Sequence, residues 1–141
     1  MVERTLAIVK PDAVSRNLVG TIIRRLEEIP LKVVALKMVR LTPDEAMVFY
    51  GVHRQRPFFK DLISFICSGP IVPMVLQGEG AVAKTRTLMG ATNPKEAAKG
   101  TLRADFGTDI ENNVIHGSDS METAAFEVPL FFKNIDSPST E

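Results

Sequence analysis

The sequence predicts a single α+β domain, a mainly antiparallel sheet flanked by helices. Three observations predict it. The 141 residues are 45% hydrophobic with Gly and Pro spread along the chain, which suits one compact core. Short apolar runs of strand character alternate with stretches whose apolar residues recur every three to four positions. The strands are too few for helices to reach both sides of the sheet in the doubly wound order, which leaves an α+β sandwich.

Residues 5–9 are β-branched and apolar and form the first strand. Lys10-Pro11-Asp12 ends it, because proline stops pairing, and leaves a lysine at the strand's C-terminal end, where it can reach into a cleft. Beyond Asn17, the positions Leu18, Val19, Ile22, Ile23, Leu26 and Ile29 follow helical spacing. Arg24, Arg25, Glu27 and Glu28 take the other face, and Pro30 closes the segment. Residues 32–41 alternate as a long, half-buried strand. Thr42-Pro43-Asp44-Glu45 then starts a helix with a capping-box pattern and a proline in its first turn. Phe59, Leu62, Ile63 and Ile66 make the next helical stripe, ended by Ser68-Gly69-Pro70. Of the adjacent Phe58 and Phe59, one ring must point away from the other, into core or interface, or as a platform for a planar ligand.

Residues 71–76 form an apolar strand in which Pro73 predicts an edge position or a bulge. Gly78-Glu79-Gly80-Ala81-Val82-Ala83 opens a helix and superficially matches a dinucleotide-binding fingerprint. The parallel strand with an acidic end that the fingerprint needs does not follow, and no Walker-type phosphate loop occurs in the chain. Residues 90–107 are rich in turn formers and read as an ordered excursion from the sheet, the kind of long loop that carries function. A short strand through Val114 and Ile115 and a last helix disturbed at Pro129 lead to a polar tail, residues 134–141. The resulting order is strand, helix, strand, two short helices, strand, helix, loop, strand, helix. It favours the ferredoxin-like split βαβ plan across residues 1–133.

Charge and cysteine usage narrow the function. Lys and Arg total 17, Asp and Glu total 17, and no long run of one sign occurs, so an anionic ligand must be held by a few converging cations. The single Cys67 cannot pair within the chain, which points to a reducing compartment. No apolar stretch is long enough to span a bilayer and no signal-peptide pattern opens the chain, so a soluble, cytoplasmic protein is expected.

The chemistry converges on Asn113-Val114-Ile115-His116-Gly117-Ser118-Asp119-Ser120, which places an imidazole between a short apolar strand and a helix start. Ser118, Asp119 and Ser120 are all residues that cap helices, and the apolar pattern resumes at Met121, Ala124, Ala125 and Val128. An imidazole there lies beside backbone amides that favour anions. A lone histidine ending a strand is ordinarily a core residue. Here the density of short polar groups, and Glu127 two helical turns beyond Ser120, point instead to a ring whose tautomer is fixed by a carboxylate and a hydroxyl, as a nucleophile requires. His53 reads as structural or peripheral.

Several motifs then stand together in order and with unbroken spacing. They are Val9-Lys10-Pro11-Asp12-Ala13-Val14, Arg56-Pro57-Phe58-Phe59, Ser68-Gly69-Pro70, Gly90-Ala91-Thr92-Asn93-Pro94, Gly100-Thr101-Leu102-Arg103-Ala104-Asp105-Phe106 and the stretch around His116. Over roughly residues 3–132 the chain resembles the nucleoside diphosphate kinases. The resemblance implies transfer of the terminal phosphate of a nucleoside triphosphate, typically ATP, to a nucleoside diphosphate through a phosphohistidine. Mg²⁺ would arrive with the nucleotide. By motif, His116 resembles the phosphorylated nucleophile, and Ser118 and Glu127 its hydrogen-bond partners. Lys10, Tyr50, Arg86, Thr92, Arg103 and Asn113 match phosphate and ribose ligands, Phe58 the base-stacking ring and Ile110 the apolar group opposite. The resemblance also implies the ferredoxin-like core and a homo-oligomer built from dimers, a tetramer or alternatively a hexamer. Pro129, two residues beyond Glu127, removes a helical hydrogen bond and bears on where that carboxylate points.

Without the resemblance two other readings compete. A nucleotide sensor keeps every cation but has no need of His116. A single-stranded nucleic-acid module would stack bases on Phe58 and Phe59, but zero net charge and the absence of a basic stripe weaken it.

Overall fold

A computed structural model describes residues 2–133 and 135, so the tail expected at residues 134–141 lies, apart from Ile135, outside the described residues. Four strands form one antiparallel sheet in the order β2-β3-β1-β4, with β1 Val2–Val9, β2 Lys32–Leu36, β3 Val72–Glu79 and β4 Ile115–Gly117. Strand β3 lies between β1 and β2 and so splits the first βαβ unit, the ferredoxin-like plan.

The inner strand β1 pairs with β3 along its whole length, from Val2 opposite Glu79 to Val9 opposite Val72. Leu6 and Ile8 face one core, Ala7 and Val9 the other, and all four are fully buried. Burial on both faces is why the second half of this strand, Leu6 to Val9, reads as a continuous apolar run. Helices cover both faces, which the split antiparallel order permits with four strands. Ile22 and Leu26 of α2 (Val19–Glu27) and Ala81 and Met89 of α5 (Ala81–Met89) pack against Ala7, Val9, Met74 and Leu76. On the other face, Ala46 and Phe49 of α3 (Pro43–Phe49), Ile63 and Ile66 of α4 (Phe59–Ile66) and Val128 and Phe131 of α7 (Met121–Phe131) pack against Leu6, Ile8 and Val75.

Four local expectations change. The strand expected over residues 32–41 ends at Leu36, after a register shift between Val33 and Ala35, and pairing resumes only as a bridge between Val39 and Ile71. Pro73 sits in inner strand β3, not at an edge. Its carbonyl accepts from the Lys37 amide just past the end of β2, and the side on which its N–H is missing is where that neighbour runs out. Two short helices, α1 (Pro11–Ser15) and α6 (Leu102–Phe106), were not expected; α6 is capped by the Thr101 hydroxyl, which accepts from the Ala104 amide. Helix α7 runs through Pro129 to Phe131. The capping box at Thr42 and Glu45 forms as read. No helix among the described residues is long and apolar enough to cross a membrane.

Candidate active site

A cleft of about 630 Å³ opens at the C-terminal end of β1 and gathers residues from almost every part of the chain. Lys10, Tyr50, Phe58, Arg86, Thr92, Arg103, Ile110, Asn113, His116 and Glu127 all line it. Of the site residues that the family resemblance names, only Ser118 does not; it is buried behind Glu127. A somewhat larger cleft beside α1 is lined by Arg16 and Arg40 but by no histidine, so the chemistry is concentrated in the first.

His116 lies in β4 opposite Ile8, so the sheet sets its backbone. Its Nε2 is 3.1 Å from Oε1 of Glu127, and the Ser118 hydroxyl donates to the same oxygen at 2.7 Å. Acceptance by the carboxylate assigns the proton to Nε2 and leaves the Nδ1 lone pair free. Phe49, for which the sequence carried no signal, sets its ring edge-on to the imidazole, with 5.1 Å between centroids. Ser120 caps α7 by accepting from the Thr123 amide, so it is Ser118 whose hydroxyl meets Glu127.

The ligand side is equally ordered. Lys10 Nζ donates to Asn113 Oδ1 at 2.8 Å and to the Glu111 carbonyl at 2.9 Å. Asn113 Nδ2 donates in turn to the carbonyls of Thr92 and Ile110, tying the excursion after α5 to the strand that carries His116. Arg103 donates to the carbonyls of Gly90 and Ile115, and its buried Nε has no partner. Arg86 bonds the Gly117 carbonyl and pairs with Asp119 at 2.9 Å. At the mouth, Phe58 is 43% exposed and Ile110 60% exposed, whereas Phe59 packs into the core below α4.

A family model described as nucleoside diphosphate kinase matches residues 3–136. The chain belongs to that family. The kinase is 59% identical over 135 residues to the nucleoside diphosphate kinase of Polynucleobacter necessarius subsp. necessarius, covering 96% of each chain. It is 58% identical over 134 residues to that of Desulfosudis oleivorans, covering 95% of this chain and 96% of the relative. Its fold matches the Aquifex aeolicus nucleoside diphosphate kinase with a TM-score of 0.93 at 47% identity, over 95% of this chain and 97% of that one. A halophilic nucleoside diphosphate kinase from Halobacterium salinarum, solved in complex with CDP, matches with a TM-score of 0.92 at 43% identity, over 99% of this chain and 95% of that one. Family membership makes the protein a nucleotide-binding phosphotransferase.

The electrostatics of the kinase suit anions. Burial, reinforced by the Arg103 guanidinium, lowers the Lys10 ammonium to about 8 against the pull of Asp12 and Glu111. Burial and then Arg86 lower Arg103 to about 10, so it stays charged at neutral pH. Burial raises the Tyr50 hydroxyl above its ordinary value, and Glu127 adds to this, so it remains a donor. Three cations partly stripped of water around one cleft are costly when empty and strong when a polyanion arrives.

Beyond Phe49, Asp119, read from sequence as a helix-capping residue, pairs with Arg86, which no local pattern encodes, and His53, read as structural or peripheral, reaches the site. His53 lines the cleft between the rings of Tyr50 and Phe58, at 6.2 and 5.8 Å.

Proposed function

We propose that the kinase works in two half-reactions through a phosphohistidine at His116. The observation that carries this is the fixed imidazole: Glu127, itself held by the Ser118 hydroxyl, holds Nε2, and Nδ1 remains for the cleft that three cations line. In the first half-reaction the Nδ1 lone pair attacks the γ-phosphorus of a nucleoside triphosphate, typically ATP. An N–P bond forms, the bond from phosphorus to the β,γ-bridging oxygen breaks, and the diphosphate leaves with that electron pair. The Nε2 proton stays in place, and the Glu127 carboxylate stabilises the positive charge that develops on the ring. In the second, a terminal oxygen of another nucleoside diphosphate attacks the same phosphorus and the N–P bond breaks, restoring the imidazole.

Phosphoryl transfer asks for alignment and charge neutralisation more than for covalent help. Lys10, Arg86 and Arg103 supply charge to the phosphates, with Tyr50, Thr92 and Asn113 as hydrogen-bonding ligands of phosphate and ribose. Phe58 stacks on the base against Ile110. A ring that reads only the flat face of a base admits purines and pyrimidines alike.

Among the described residues no three His, Cys, Asp or Glu side chains converge to hold a metal ion. Of the carboxylates that line the cleft, Glu127 is engaged by His116 and Ser118 and Asp119 by Arg86, which fits Mg²⁺ carried on the phosphates of the nucleotide. When bound it neutralises phosphate oxygens. We further propose a cytoplasmic homo-oligomer built from dimers, a tetramer or alternatively a hexamer. The apolar side chains of Leu36 and Met38, exposed at and just beyond the end of edge strand β2, support such assembly.

The test uses γ-labelled ATP and Mg²⁺ without acceptor. The intact protein gains an acid-labile, base-stable phosphate that discharges on adding GDP, and His116→Ala gains none. Nucleotide binding without a phosphoprotein would instead identify a sensor.

A further inference from the structure

Val114 is the tightest point of the active-site backbone. Its φ is +69°, and across it the Ile115 amide donates to the Asn113 carbonyl at 2.9 Å. A bond from residue i+2 back to residue i around a positive φ is the rare, strained form of γ-turn, and a β-branched residue at its centre is an outlier. The turn is held from both sides by one motif. Val114 donates its amide to Oδ2 of Asp12 at 3.1 Å, and its carbonyl accepts from the Lys10 amide at 2.9 Å. The residue before the turn is Asn113, which bonds Lys10 Nζ, and two residues after it is His116.

Asp12 does not line the nucleotide cleft; it faces the neighbouring one beside α1, and its Oδ1 is buried without a partner. Within α1 the carboxylate interacts only with the first-turn amides of Asp12 and Ala13, and beyond the helix it accepts from the Val114 amide. We infer that Asp12 is a positioning residue for phosphoryl transfer: its carboxylate holds the Val114 turn in the strained form that turns Asn113 and His116 into one cleft. The inference rests on the two-step reading above. It assigns work to the third residue of Lys10-Pro11-Asp12, whose sequence role seemed confined to ending a strand.

Two effects of Asp12 must be separated, its hydrogen bond to Val114 and its charge near Lys10. Asp12→Asn keeps an acceptor for the Val114 amide and removes the charge; Asp12→Ala removes both. The experiment measures single-turnover phosphohistidine formation from labelled ATP, ADP affinity and melting temperature for the full chain and both variants. A misplaced nucleophile slows Asp12→Ala about 100-fold, with ADP affinity changed much less. Asp12→Asn stays within about fivefold of the unaltered protein, because the bond survives. Val114→Gly provides a second check, since glycine adopts positive φ without a clamp. Asp12→Ala therefore costs about tenfold less in a Val114→Gly background.

Equal rates for Asp12→Ala and the unaltered protein, with only the melting temperature lowered, would overturn the clamp. So would equal losses in Asp12→Asn and Asp12→Ala, which would assign the effect to charge. If the unaltered protein forms no phosphohistidine, the two-step reading fails and takes this inference with it, an outcome distinct from a labelled protein that is indifferent to Asp12.

Discussion

Nε2 of His116 and Oε1 of Glu127 lie 3.1 Å apart although one residue belongs to a sheet strand and the other to the helix that follows it. The contact survives Pro129, two residues on from Glu127. That proline removes only the amide that would bond back to Ala125, and the turn bearing Glu127 is intact.

Glu127 therefore sets the tautomer of the ring by accepting from Nε2. A hydrogen bond to an ionised group contributes about 1.5–3 kcal/mol, so Glu127→Ala lowers the rate of His116 phosphorylation about 10- to 100-fold. Ser118→Ala acts only through Glu127 and costs less than about tenfold. Rapid-quench measurement of phosphoenzyme formation checks both.

Lys10 predicts opposite pH trends for activity and stability. Its ammonium titrates at about 8 in the folded protein, against 10.5 ordinarily. As pH rises through 8 the charge is lost, so kcat/KM falls, and Lys10→Gln removes that alkaline limb. Between pH 8 and 10.5 the unfolded chain retains a proton that folded Lys10 has released, so this group makes folding more favourable as pH rises and opposes it most below pH 8. Denaturant titrations of the nucleotide-free protein across that window check the sign.

Phe58 is expected to act on binding more than on chemistry. Replacing it with Ala removes a stacking contact of about 0.5–1.5 kcal/mol, raising KM roughly 2- to 10-fold with kcat little changed. The shift is similar for purine and pyrimidine diphosphates, and steady-state kinetics with ADP, GDP and CDP would show it. A large difference among bases would mean that the base is read by hydrogen bonds.

Arg103 joins structure to function, because its guanidinium bonds both the Gly90 and Ile115 carbonyls. Arg103→Lys keeps a cation but cannot span the two, and a buried carbonyl left unsatisfied costs about 1–3 kcal/mol. Both kcat and the melting temperature fall, unlike the effect of Phe58→Ala. Calorimetry alongside kinetics separates them.

Much of the fold was legible because its signals are local. The capping box at Thr42, the stripe of Phe59, Leu62, Ile63 and Ile66, and the apolar run from Leu6 to Val9 in β1 each depend on near neighbours. The misread points depend on distant partners. The end of β2 at Leu36 and the place of Pro73 in an inner strand follow from which strand lies alongside, and no single segment carries that information.

The same division holds for the site. By itself the sequence determined which groups are present: an imidazole flanked by hydroxyls, a carboxylate eleven residues on, and separated cations, in motifs specific enough to indicate a kinase family. Only the tertiary structure decided how they meet. Asn113 reaches Lys10 across more than a hundred residues, Asp119 finds Arg86, Phe49 sets its edge against His116, and Asp12 grips a Val114 turn that a β-branched residue would never adopt unaided. Local preference selects conformations that are cheap for a few residues alone, whereas strain at Val114 and cations crowded around a cleft persist only because the rest of the packed domain compensates for them.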